Sequence, residues 1–79
     1  MNRIIKYIIS EAGIPVLFSC DLVHDEVLKT GCLSAGFLVL KYDAVKRLFL
    51  VRCFGESKSL NLKSRLDMDA KIIQDFFNF

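Results

Sequence analysis

Two apolar runs flank the tetrapeptide Asp43-Ala44-Val45-Lys46, and they constrain the fold more than any other feature of the chain. Gly36-Phe37-Leu38-Val39-Leu40-Lys41-Tyr42 precedes it, and Arg47-Leu48-Phe49-Leu50-Val51-Arg52-Cys53-Phe54 follows. Both runs are rich in β-branched and aromatic residues, and a short polar turn parts them, so they read as a β-hairpin. Both also carry apolar residues at consecutive positions. Side chains alternate faces along a strand, so this hairpin is apolar on both sides. Pairing Tyr42 with Arg47 places Leu38, Leu40, Tyr42, Phe49, Val51 and Cys53 on a first face. Phe37, Val39, Leu48, Leu50 and Phe54 share the second face, with Ala35, Lys41 and Arg52.

The rest of the chain must cover these two faces. Arg65 to Phe79 reads as an amphipathic helix, with Asp67 as its cap and Asp69 favouring the positive end of the helix dipole. Its apolar stripe is Ile72, Ile73, Phe76 and Phe77, which suits a lid over the first face. Arg3–Ile9 and Ile14–Ser19 read as a second hairpin across Ser10-Glu11-Ala12-Gly13. Pairing Ile9 with Ile14 sets Tyr7 against Val16 and Ile5 against Phe18. Pro15 starts its strand, where a missing N–H is tolerated. Asp21–Thr30 has helical spacing at Leu22, Val23, Val27 and Leu28, with Asp21 as N-cap, although an irregular crossover also fits. After the turn Gly55-Glu56-Ser57-Lys58, a fifth strand is expected over Ser59–Lys63, pairing Phe54 with Ser59 and adding Leu60 and Leu62 to the first face. The order β-β-α-β-β-β-α gives one α+β domain over residues 1–79, with a largely antiparallel sheet of about five strands and the terminal helix on one face.

From Leu22 onward the order α-β-β-β-α is similar to that of the double-stranded-RNA-binding domain. The likeness is one of topology. That family's basic cluster at the start of its last helix has no counterpart in Leu66-Asp67-Met68-Asp69-Ala70-Lys71. Its turn histidine has none in Asp43-Ala44-Val45-Lys46.

Composition excludes several functions. A chain of 79 residues with a net charge of +2 has no strong polyanion signature. From Lys41 to Arg65, however, seven Lys or Arg stand against two carboxylates. Lys41, Lys46, Arg47, Arg52, Lys58, Lys63 and Arg65 are therefore the candidate contacts if the partner is a nucleic acid. The amino terminus lacks the continuous apolar core of a signal peptide, because Lys6 interrupts it and Glu11 closes it. No run reaches the roughly 20 apolar residues of a membrane span. The three cysteines (Cys20, Cys32, Cys53) are odd in number and lack metal-ligand spacing, so reduced cytoplasmic thiols are expected and no cofactor or metal is implied.

Cys20 and His24 are the residues closest to a nucleophile and its base, but nothing in their spacing sets the nitrogen on the sulfur. A buried thiol and a surface histidine are the simpler expectation. Gly55-Glu56-Ser57-Lys58-Ser59 lacks the second glycine and following helix of a phosphate loop. The expectation is therefore a non-enzymatic protein-interaction module, a homodimer joined through Phe37, Val39, Leu48, Leu50 and Phe54. A nucleic-acid-binding module is the alternative. Either a second chain or the first hairpin could cover the second face.

Overall fold

The first hairpin covers neither face; it widens the sheet. In the computed structural model, which describes residues 3–28 and 30–78, β1 (Arg3–Ser10) pairs with β2 (Pro15–Phe18) and also with β3 (Cys32–Asp43). β4 (Leu48–Phe54) completes an antiparallel sheet of order β2-β1-β3-β4. The two central strands, β1 and β3, both carry consecutive apolar residues. Tyr7, Ile8 and Ile9 of β1 are all fully buried, which only a strand covered on both sides achieves.

The two hairpins differ from expectation by different shifts. In the central one, Tyr42 faces Phe49 and not Arg47, so the loop is Ala44–Arg47. Asp43 holds this loop through its carboxylate, which accepts from the N–H groups of Val45 and Lys46 at 3.0 and 3.1 Å. The shift is two residues, so every side chain keeps its expected face. In the first hairpin Ile9 faces Pro15 and Tyr7 faces Leu17, a shift of one residue. β2 is therefore turned over: Leu17 lies with Tyr7 on the first face, and Val16 and Phe18 lie on the second. The longer loop follows from Ser10, whose N–H and hydroxyl both engage Ile14.

The fifth strand is also revised. Gly55, at φ +75°, turns the chain out of β4 into a separate two-stranded ribbon, β5 (Glu56–Ser57) and β6 (Leu62–Lys63). Leu60 and Leu62 therefore do not extend the first face. The ribbon is held against the sheet at Gly36, where a Cβ would lie 2.7 Å from the Phe54 carbonyl oxygen and 3.1 Å from the Ser64 Cβ. The α-β-β-β-α order similar to the RNA-binding family is accordingly not formed.

The terminal helix is α2 (Asp67–Phe77), and it covers the first face. Ile73 is fully buried with Tyr7, Ile9, Leu38 and Cys53, and Ala70, Ile72 and Phe77 pack around it. Asp67 does not cap the helix: Leu66 occupies the cap position, at φ +46°, with no side-chain cap bond. Phe76 is not a core residue. The helix crosses the sheet to β4, where Gln74 and Asn78 bind the backbone of Val51 and Phe49. At that point no further strand lies beneath it, and Phe76 stays 61% exposed.

The Asp21–Thr30 segment is mostly an irregular crossover, with one helical turn, α1 (His24–Val27), capped from Val23 and not Asp21. β2 and β3 both run antiparallel to β1, so they are parallel to each other, and their connection must return along the sheet. It does so over the second face. Lys6 Nζ donates to the Leu22 carbonyl at 2.6 Å, and His24 packs edge-on against Phe18 and Phe37. Ile8 and Ala35 beneath are fully buried. Among the described residues, no helix is long and apolar enough to cross a membrane.

Candidate functional site

The crossover covers only one end of the second face. Along β3, Ala35 and Phe37 lie under it, while Val39 and Lys41 do not. The uncovered end is built by three cross-strand steps. Ile4 faces Val39, Val39 faces Arg52, and Lys41 faces Leu50. Leu48 and Phe54 complete it along β4. Val39, Leu48 and Leu50 remain half-exposed, Phe54 is 37% exposed and Ile4 is 55% exposed. Of the expected surface residues, Phe37 is the one withdrawn. It is half-buried between His24 and Phe54, with ring centroids at 5.8 and 5.7 Å. Ile4 takes its place, a residue that reasoning on the central hairpin alone could not supply.

The sheet edges offer little to an added strand. Phe49 and Val51 turn their backbone groups outward from β4. Asn78 accepts from the Phe49 N–H at 2.8 Å and donates to the Phe49 carbonyl at 2.9 Å. Gln74 accepts from the Val51 N–H at 3.1 Å. Two side-chain amides thus occupy the positions a neighbouring strand would use. The opposite edge, β2, has four residues and begins at Pro15, which has no N–H to offer.

Beneath the helix lies a buried polar cluster that the sequence did not announce. Asp69 is fully buried and accepts four hydrogen bonds. They come from the Tyr7 hydroxyl at 2.6 Å, the Ser34 hydroxyl at 2.9 Å, the Arg65 N–H at 2.8 Å and the Arg65 Nε at 2.9 Å. Tyr7 has one hydroxyl proton, which goes to the carboxylate, so Ser64 Oγ at 2.7 Å donates to the phenol oxygen. Burial, then the bond to Asp69, pushes the Tyr7 phenol far above its ordinary value. Burial likewise raises the neighbouring Cys53 thiol to about 11. The signal was present in the i,i+4 spacing of Arg65 and Asp69, but it could not reveal that the carboxylate points inward.

Cys20 and His24 are oriented to separate partners. The exposed Cys20 thiol donates to the Ile4 carbonyl at 3.4 Å. His24 is buried, with Nε2 at 2.9 Å from the Gly36 carbonyl oxygen. A carbonyl only accepts, so Nε2 carries the proton. The expected burial of the pair is thus reversed. The basic residues of the Lys41–Arg65 segment are also dispersed. Lys41 and Arg52 lie on the uncovered surface, Lys46 and Arg47 in the hairpin loop, and Lys58 and Lys63 on the ribbon. Arg65 is committed to Asp69. Comparison with protein-family models, curated proteins and solved structures finds no match to this chain.

Proposed function

We propose that this protein acts by association and not by catalysis, as a homodimer joined through the uncovered end of the second sheet face. The carrying observation is an apolar strip left open on a sheet whose β4 edge is occupied by side chains and whose β2 edge is short. Monomers rarely leave large contiguous apolar patches in water. Strand addition at β4 would first have to displace Gln74 and Asn78, so the face is the more accessible surface. A cytoplasmic setting, where the three free thiols stay reduced, accords with this reading.

The expected strength follows from what remains exposed. Ile4, Val39, Leu48, Leu50 and Phe54 each retain about half of a 1.5–3 kcal/mol burial term, or about 1 kcal/mol. Two copies contribute about 10 kcal/mol in total. The lower bound on lost rigid-body freedom, about 4–5 kcal/mol, offsets nearly half of it. The remainder corresponds to a Kd of about 0.1 mM. Sedimentation equilibrium up to about 1 mM tests this. Leu50→Asp, or Ile4→Glu at a more exposed position that spares the fold, should abolish association. A wild-type chain that is monomeric throughout that range overturns the proposal.

Lys41 and Arg52 support a second reading, in which the same surface meets a nucleic-acid backbone. That reading requires RNA or DNA binding that weakens steeply with salt.

A further inference from the structure

We infer that the two copies meet with their strands reversed, so that the hairpin loop of each abuts the crossover of the other. This inference rests on the proposed self-association and adds its geometry. The second face is stepped along the strand direction. Over Ile8, Ala35 and Phe37 the crossover adds a layer; over Val39 and Lys41 there is none. Packed sheets stand about 10 Å apart, close to the thickness of one layer. If the strands of the two copies ran in the same direction, crossover would meet crossover, and the open ends would be held apart. With the strands reversed, open end meets open end. The crossover of each copy then lies level with the sheet of the other, beyond its hairpin loop.

Charge agrees with the step. The hairpin loop presents Lys46 and Arg47, both exposed, and the carboxylate at its base, Asp43, is occupied by the loop N–H groups. The layer that would abut it presents Glu56 beside Phe37 and Asp25 on α1, while the Glu26 carboxylate is occupied by the Val23 N–H at 3.0 Å. The Asp25 N–H donates to Ser59 Oγ at 3.3 Å, which ties α1 to the ribbon that carries Glu56. Lys6 and Lys58 lie in the same cleft as Glu56, and Lys6 is already bound to Leu22. The apolar tips agree as well, since Val45, 94% exposed, would reach the half-exposed Val23 of the second copy. With the strands aligned, the cationic loops would instead face each other.

A charge-swap experiment separates this geometry from self-association itself. The loop variant Lys46→Glu/Arg47→Glu carries acidic groups at both ends of the surface. The layer variant Asp25→Lys/Glu56→Lys carries basic groups at both. Each alone should weaken association at least about tenfold, with circular dichroism showing an unchanged fold. Their equimolar mixture should associate as strongly as wild type, because each contact is then complementary. Wild-type affinity should also fall with added salt, which an apolar contact alone would not show. Variants that associate like wild type, or a mixture that stays monomeric, overturn the reversed arrangement while self-association stands. A monomeric wild-type chain overturns both.

Discussion

Replacing Asp69 with Ala should remove a large share of this protein's stability, although the residue lies in the first turn of a surface-docked helix. The carboxylate is fully buried and accepts from Tyr7, Ser34 and twice from Arg65, at 2.6 to 2.9 Å. Removing it leaves the Tyr7 and Ser34 hydroxyls without their acceptor and strands the Arg65 guanidinium, whose side chain is 29% exposed. Breaking a buried ion pair from one side costs about 3–5 kcal/mol. A chain of this length has about 4–12 kcal/mol of total stability. The expected loss for Asp69→Ala is therefore about 4 kcal/mol, a large share of the whole. Asp69→Asn keeps the shape and two accepting lone pairs but turns an N–H₂ toward donors, so a loss of about 2–3 kcal/mol is expected. Tyr7→Phe removes one donor and should cost about 1–2 kcal/mol.

Urea unfolding of the single variants and of Tyr7→Phe/Asp69→Asn closes a double-mutant cycle. The two sites touch, so a coupling of at least about 0.5 kcal/mol is expected. A loss below about 1 kcal/mol for Asp69→Ala would refute the argument, because it would mean that the carboxylate reaches water. Additive losses would mean that the Tyr7 bond contributes nothing of its own.

Ile73→Ala should cost about 2–5 kcal/mol and Phe76→Ala less than about 0.5 kcal/mol, measured by the same unfolding assay; equal losses would contradict the exposure of Phe76. Stability should fall in alkali. The Cys53 thiol keeps its proton in the fold up to about 11, whereas it loses it near 9.0 when unfolded. The unfolded state therefore binds fewer protons between those values, and unfolding is favoured by up to about 3 kcal/mol as pH rises through that window. Tyr7 should steepen the loss above pH 10.0, its ordinary value. Cys53→Ala should flatten the first part of the curve and Tyr7→Phe the second. Thiol labelling of the native protein should modify exposed Cys20 first and buried Cys53 last; the reverse order would contradict their placement.

How much of this was legible in the sequence depended on the kind of error that each strand pairing tolerated. The apolar pattern sets the central hairpin two residues out of register, yet its faces hold, because side chains repeat every two residues. The first hairpin was read one residue out, and β2 turned over. Val16 and Leu17 are both apolar, so hydrophobicity alone could not choose between them, and the Ser10 contacts to Ile14 that fix the loop are polar and local. The helix stripe was legible at Ile73 and Phe77. Phe76 was misplaced because a helical wheel does not show where the sheet beneath the helix ends. Asp69 was misread because an acidic residue at a helix start has a sufficient local explanation. Nothing in the pattern indicated that Tyr7, 62 positions away, would reach it.

The open face follows from the lengths of the covering segments. α2 has 11 residues, and the shift of its last turns onto the β4 edge commits it to the first face and that edge together. The second face has only the connection between Phe18 and Cys32, which must also return the chain to the far end of the sheet. Its one helical turn spans four residues, enough to seat His24 over Phe18 and Phe37 but too short to reach Val39. Lengthening the crossover could close the face, but only by burying Lys41 and Arg52 with it. Their charges and the apolar strip between them define one surface, and the chain satisfies its β4 edge from within while leaving that surface exposed. Gln74 and Asn78 on β4, and the shortness of β2 with Pro15 at its start, disfavour open-ended strand pairing. In the proposed dimer, the stepped face would close the assembly after two copies. On that reading, association through the face terminates at two copies, whereas strand pairing at an edge would not.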